Sequence, residues 1–153
     1  MRRQLVLLFT TLAVAACATI TVGTPGPTGA VAERAAAQRL VWDAQHIRTY
    51  TFTIERQCFC PPDFGGPFEV TVVEGAPTLV TFQGGVALAD RVQDLPKTME
   101  AVFNVVFQNA ATEPLVVYDD RFGFPLRIGV DPIPNAIDDE FTIVVSNFRP
   151  ADG

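Results

Sequence analysis

Residues 49–55 read Thr-Tyr-Thr-Phe-Thr-Ile-Glu, so every second side chain is large and mainly apolar and the others are polar. Successive side chains of an extended strand point to opposite faces of a sheet. The segment can therefore bury its Tyr, Phe and Ile together only as a strand, with its threonines on the other side. The chain must build a sheet, and on this strand one face is threonine and the other is core.

Seven further segments carry the pattern of a strand or a helix. Turn-forming residues at 74–77 and 119–125 separate the strands of two predicted hairpins. Apolar residues spaced by three and four positions from Met99 to Ala110 indicate a helix with one buried stripe. The predicted elements are a helix at 31–46, strands at 49–55, 68–72 and 78–82, a helix at 99–110, and strands at 115–118, 126–130 and 141–148.

This order of elements predicts the fold class. Helix, three strands, helix, three strands, with hairpin connections, makes the sheet mostly antiparallel. We expect an α+β domain with a sheet of about six strands and two helices packed on one face. The two halves share an element order, but no residue-level repeat accompanies it.

The first 17 residues have the organisation of a lipoprotein signal. Arg2 and Arg3 precede an apolar run at 5–16 that is too short to span a bilayer as a stable helix. The run ends in Val-Ala-Ala-Cys at 14–17, which resembles a bacterial lipobox. That resemblance implies a signal peptide over residues 1–16 and a diacylglyceryl thioether on Cys17, the first residue of the mature protein. The alternative is an ordinary secretory signal, with Cys17 incidental.

Residues 17–30 follow as a stretch rich in Thr, Gly and Pro and without charge. This composition predicts a flexible tether between the lipid and a single domain at 31–150. Ala18 stands where an Asp would signal retention at the inner membrane, so the resemblance implies the periplasmic face of the outer membrane in a Gram-negative cell. Cleavage before Cys17 also removes two arginines and takes the net charge from -6 to -8. We expect so acidic a domain to contact an anionic bilayer only through its lipid.

Several short motifs spread along the folded region carry a resemblance to known proteins. They are Trp42, residues 50–52, Cys58-Phe59-Cys60-Pro61, residues 66–72, 117–119 and 123–125, Ile128, Asp131, and residues 138–141. On these residues the chain resembles bacterial lipoproteins that carry the domain of unknown function 6174. The resemblance implies a small α+β lipoprotein of the cell envelope, and it assigns neither an activity nor a catalytic residue.

Cys58 and Cys60 are the strongest chemical candidates in the folded region. In an extended strand, residues two apart project on the same side, here the side that carries Phe52 and Ile54. With Cys17 lipidated, the remaining two cysteines pair evenly, and an oxidising compartment favours a local disulfide. Such a bridge needs a bend in the strand and closes too short a loop to stabilise the fold strongly. Free buried thiols, or a redox or soft-metal site, are the alternatives.

Composition and motif content argue against several classes of function. The acidic net charge opposes nucleic-acid binding, which depends on neutralising phosphates. No Gly-x-Ser-x-Gly, P-loop or His-Glu-x-x-His pattern occurs, and we expect the single histidine, His46, to be solvated or to cap a helix. The sequence therefore predicts no catalytic residues, no cofactor and no metal site.

Acidic loop residues offer a different kind of site. Their oxygens could bind Ca²⁺, but they lack the EF-hand spacing, and we interpret them as solvated ends of hairpins. They are Asp119, Asp120, Asp131, Asp138, Asp139 and Glu140.

Four phenylalanines fall in predicted loops, outside the periodic core. Phe59, Phe64, Phe122 and Phe124 could form an apolar binding patch near the hairpin ends, or they could fold back onto the sheet edge. We predict a non-catalytic, membrane-tethered domain that binds a protein or a small-molecule ligand through its sheet face or this patch. The alternative is a thiol redox or soft-metal-handling protein that acts through Cys58 and Cys60.

Overall fold

The computed structural model describes residues 29–133, 136 and 138–151 of the chain. The predicted signal peptide, Cys17 and nearly all of the predicted tether lie outside these residues. None of the described helices is long and apolar enough to cross a membrane. The helices and strands are α1 (Ala30–Asp43), β1 (Tyr50–Cys58), α2 (Pro62–Gly65), β2 (Phe68–Val73), β3 (Ala76–Phe82), β4 (Gly85–Val86), α3 (Met99–Gln108), β5 (Leu115–Tyr118), β6 (Pro125–Val130) and β7 (Phe141–Pro150).

Within the described residues, seven strands form one antiparallel sheet in the order β4-β3-β2-β1-β7-β6-β5. The prediction of an α+β fold with a mostly antiparallel sheet is confirmed, and the strand beyond the predicted six is the two-residue β4. Each half of the chain forms its own run of neighbouring strands. The halves join where β1, the first strand, pairs with β7, the last.

Helices α1 and α3 contact each other and cover one face of the sheet. The predicted apolar stripe of α3 is buried, and the Thr98 hydroxyl caps the helix by accepting a hydrogen bond from the Ala101 N–H at 3.1 Å. The prediction that α1 continues to His46 was wrong, because the helix ends at Asp43. His46 has a φ of 54°, a left-handed conformation that a right-handed α-helix cannot include.

Trp42 lies where α1, α3 and the centre of the sheet meet. Its ring packs edge-on against Tyr50, Phe124 and Phe148, with ring centroids 5.6, 6.0 and 5.7 Å away. The Trp42 indole N–H donates to the Glu100 carboxylate at 3.3 Å. The buried aromatic cluster therefore fixes both helices on the sheet.

The register of β7 changes at a bulge opposite Thr51–Thr53 of β1. Ile143 and Val145 alternate toward the core, whereas Asn147 has a φ of 50° and donates from its side chain to the Thr53 hydroxyl at 3.2 Å. The extra residue reverses the alternation, so Phe148 also packs against the core. The bulge is what brings Phe148 to Trp42.

Candidate functional site

The side of the sheet opposite the helices is a broad exposed surface. We call it the open face, and it carries Thr53 of β1, Thr71 of β2, Leu79 of β3, Val117 of β5, Arg127 of β6 and Val144 of β7. Among its exposed, large apolar side chains are Val73, Leu79, Leu115 and Val117. Leu115 is 82% exposed. Val73 and Leu79 form one exposed apolar group on β2 and β3, and Leu115 and Val117 form another on β5 at the opposite edge of the sheet. Exposed apolar groups of this kind can mark contact sites.

Acidic and basic residues of the open face lie on different halves of the sheet, the first half being β1 to β4 and the second β5 to β7. Glu55 of β1 and Glu69 of β2 lie on the first half, and Arg127 of β6 lies on the second. Arg149 of β7 pairs in register with Thr51 and so shares this face. The first half of the open face is acidic and the second half is basic.

The predicted local disulfide between Cys58 and Cys60 is present, with an S–S distance of 2.03 Å and Cα atoms 5.3 Å apart. The chain bends there as the sequence requires, since the Cys60 N–H donates to the Cys58 carbonyl at 2.9 Å. Both cysteines are half-buried. With Phe59 and Pro61 they line a shallow depression of about 350 Å³.

The segment after the disulfide is held by an arginine. Phe64 of α2 lies beneath the guanidinium of Arg91, with 4.4 Å from Cζ to the ring centroid. Phe64, Arg91 and Arg56 line a small cavity of about 40 Å³, and the Arg56 side chain donates to the Asp94 carbonyl at 3.5 Å. The Nε atoms of Arg56 and Arg91 are buried without a hydrogen-bond partner in the described part of the chain. Asp90 and Asp94 line this cavity too, so two acidic residues accompany the two arginines.

The four loop phenylalanines do not form one patch, and Phe122 and Phe124 follow the other predicted alternative by folding back onto the sheet. Phe122 and Phe124 pack against Phe148 at the Trp42 end of β1, and Phe124 is 1% exposed. Phe59 and Phe64 follow the opposite end of β1, where Phe64 is covered by Arg91 and Phe59 is 83% exposed. Burial of the first pair in the aromatic cluster stabilises the fold more than exposure would, which is why no joint surface forms.

His46 lines a second depression, of about 200 Å³, with Arg48, Asp43 and Glu100.

The Tyr50 hydroxyl accepts a hydrogen bond from the Met99 N–H at 2.9 Å. Burial raises the pKa of Tyr50 to about 12, so its hydroxyl stays protonated at neutral pH. These contacts join α3 to β1 and give the tyrosine a structural role.

The acidic loops do not converge. Among the described residues, no group of three or more His, Cys, Asp or Glu side chains could hold a metal ion together. The Asp119 carboxylate instead accepts from the backbone N–H groups of Arg121 and Phe122, at 2.9 and 2.6 Å. It therefore shapes the turn between β5 and β6.

The sequence indicated a sheet face as a binding surface but did not show which charged residues lie on that face. Thr51, Thr53 and Thr71 followed from alternation, whereas Arg127 and Arg149 join Glu69 on one surface only through the strand order. One usable signal was present in residues 115–118, Leu-Val-Val-Tyr, which are apolar on both sides of a strand. Such a strand predicts apolar exposure when only one side of the sheet carries helices.

Comparison with protein families gives the relationship of this chain to other proteins. The family model described as "Family of unknown function (DUF6174)" matches residues 34–150, which cover the sheet, α3 and all but the first four residues of α1. Searches of the curated proteins and of the solved structures found no match. The chain therefore belongs to the DUF6174 family of unknown function.

Proposed function

We propose that this protein is a lipid-anchored protein of the bacterial cell envelope, and that its folded part is a non-catalytic binding domain. The open face is the observation that carries the binding role. Leu79, Leu115 and Val117 expose apolar surface there, on a side of the sheet that no described helix covers. The anchor rests on Val-Ala-Ala-Cys at 14–17 and on the uncharged stretch that follows it.

Photo-crosslinking in cells tests the binding role. We expect a photoreactive amino acid at Val117, on the open face, to give a crosslinked species. The matched control is the same amino acid at Gln108, which is exposed on α3 and faces away from the sheet. Equal products from both positions, or none from Val117, would contradict the assignment of the open face.

Lipid labelling tests the anchor. We expect the parent chain to incorporate labelled fatty acid and to sediment with membranes after a high-salt wash, because two or more acyl chains anchor a protein stably. Cys17→Ala should lose essentially all of the label. A control in which an ordinary secretory signal replaces residues 1–17 should be released as soluble protein. Label that persists in Cys17→Ala, or a parent without label, would remove the anchor from the proposal.

Thiol redox chemistry is the second candidate function, and the accessible Cys58–Cys60 bridge favours it. A protein dithiol could reduce the bridge in two steps. Its thiolate attacks one sulfur and forms a mixed disulfide while the other sulfur leaves as a thiolate. Its second thiol then closes its own disulfide, and this protein takes up two electrons and two protons.

Removing the bridge separates a redox role from a structural one. Because the closed loop has only about three residues, we expect Cys58→Ser/Cys60→Ser to lower the free energy of unfolding by roughly 1.6 kcal/mol. Urea denaturation measures this loss. In the parent, the redox role requires that a protein dithiol reduce the bridge under native conditions, detected by alkylation and intact mass. A bridge that resists reduction until the protein unfolds would contradict that role.

A further inference from the structure

We propose that a pair of adjoining cavities beside the end of β1 binds a small organic acid that has a short aliphatic chain. The acid is held as its carboxylate. The cavities lie on the side of the sheet that carries the helices, because Arg56 of β1 pairs in register with the buried Ile143. The inference therefore goes beyond the proposed function and names a second binding site, away from the open face.

Two arginines line the first cavity, which we call the arginine cavity and which has a volume of about 40 Å³. They are Arg56 of β1 and Arg91, from the connection between β4 and α3. The Nε atom of each is buried and has no hydrogen-bond partner among the described residues. Leaving a buried donor unpaired is unfavourable, so two such donors on one cavity indicate an acceptor that binds there. Water can occupy the cavity in the free protein, and a carboxylate would displace it with two acceptor oxygens on one group.

Aspartates near the two cavities leave the arginines able to attract an anion. The Asp90 carboxylate lies 3.8 Å from Arg91 Nε, which is too far for a hydrogen bond, and its side chain is 69% exposed against 30% for Arg91. Asp63 and Asp94 are exposed as well. Water screens exposed charges more than partly buried ones, so the arginines favour a singly charged anion. The same aspartates disfavour a phosphate group, which carries up to two negative charges.

The second cavity adjoins the first, since Arg91 lines both. We call it the apolar cavity; it has a volume of about 90 Å³ and includes Phe68, Phe82, Val86 and Leu88 among its lining residues. The rings of Phe68 and Phe82 pack together, with 5.3 Å between their centroids. Val86 and Leu88 are 76% and 65% exposed, so an aliphatic chain bound here would remove apolar surface from water.

Together the two cavities specify both parts of the ligand. A carboxylate in the arginine cavity accepts from guanidinium donors, and the chain attached to it enters the apolar cavity beside Arg91. The apolar cavity is far smaller than the roughly 300–1,000 Å³ of a typical ligand pocket, which limits the chain to a few carbon atoms. Two sources supply this chemistry, namely a free short-chain acid and the C-terminal residue of a peptide that ends in leucine or a similar side chain.

Nitrogen-15 NMR of the arginine Nε–H groups tests the proposal on the unlipidated mature chain, residues 17–153 with Cys17→Ser. We expect isocaproate to shift the Nε–H signals of Arg56 and Arg91 saturably, with a dissociation constant of about 1 mM or lower. Isocaproamide has nearly the same shape without the charge, and acetate has the charge without the chain. Each should bind at least about tenfold more weakly. Acetyl-Gly-Gly-Leu, titrated in parallel, shows whether a peptide C-terminus or the free acid binds more tightly, and binding of either supports the site.

Substitutions assign the binding to these cavities. Arg56→Gln removes one guanidinium and should weaken binding at least about tenfold. Leu88→Asp places a negative charge at the apolar cavity, and because Leu88 is 65% exposed we expect the fold to tolerate it while binding falls by a similar factor. Arg48→Gln is the matched control, since Arg48 is an exposed arginine that pairs with Glu74 instead. It should leave the affinity unchanged.

Three results would overturn the proposal. The first is that neither isocaproate nor the peptide shifts the two Nε–H signals at about 10 mM, well above the expected dissociation constant. The second is that isocaproamide binds as tightly as isocaproate. The third is that Arg48→Gln loses as much affinity as Arg56→Gln. These outcomes are independent of the crosslink from Val117, so the carboxylate site and the open face can fail separately.

Discussion

Gly123→Ala is expected to lower the free energy of unfolding by about 3 kcal/mol, from left-handed backbone strain and overpacking together. Gly123 ends the turn between β5 and β6, with a φ of 80° and its N–H donating to the Asp119 carbonyl at 2.9 Å. A Cβ atom there would lie 2.8 Å from the Gln38 carbonyl oxygen and 2.8 Å from the Val41 Cβ. Both atoms belong to α1, so the helix would have to move off the sheet. Urea denaturation followed by circular dichroism measures the loss.

Gly84→Ala is the matched control for this prediction. Gly84 has the same φ of 80°, but a Cβ atom there meets nothing within 4 Å. We expect a loss of about 1 kcal/mol, from the left-handed conformation alone. The difference between the two variants isolates the contact with α1. Equal losses at the two positions would show that α1 does not pack closely on this turn.

Trp42→Ala is expected to lower the free energy of unfolding by about 4 kcal/mol, near the middle of the range for a buried tryptophan. Trp42 is 2% exposed and touches aromatic rings from β1, β7 and the turn before β6. Truncation leaves a cavity at the junction of both helices with the sheet. Urea denaturation followed by far-ultraviolet circular dichroism measures the change without relying on the chain's single tryptophan.

Two further variants show which property of Trp42 is responsible. Leu40→Ala changes a side chain of the same helix that is 71% exposed, and we expect it to cost no more than about 0.5 kcal/mol. Trp42→Phe keeps most of the ring volume but loses the hydrogen bond to Glu100, so its loss should fall between the other two. A Trp42→Ala loss as small as that of Leu40→Ala would contradict the central packing role.

Most of the elements could be predicted from the sequence because their patterns are local. Strand β5 begins and ends at the predicted residues, and β2 is longer than predicted by one residue. The stripe from Met99 also predicted α3. The largest errors were of three residues, at the end of β1 and at the end of α1. Residues 44–46 have no feature that breaks a helix in sequence. The left-handed turn at His46 lies in the connection from α1 to β1, a central strand of the sheet, so it depends on the tertiary fold.

The candidate site was predicted in part, for a related reason. The Cys58–Cys60 bridge is a contact between near neighbours, so the sequence could anticipate both the pair and the bend after β1 that lets it close. For Phe122 and Phe124 the sequence left two alternatives open, an exposed patch or packing back onto the sheet, because both residues lie in a turn. The bulge at Asn147 brings Phe148 to them, and a change of register in β7 leaves no mark in the residues of the distant β5–β6 turn.

The sequence by itself determined the α+β class, the one-sided burial of β1 and the acidic charge, because each depends on composition or on residues a few positions apart. Only the tertiary structure decided which surface is exposed and how charge is arranged on it. Glu69 and Arg127 are far apart in the chain and share the open face because β1 pairs with β7. Strand order is a property of the whole sheet, so no local pattern specifies it.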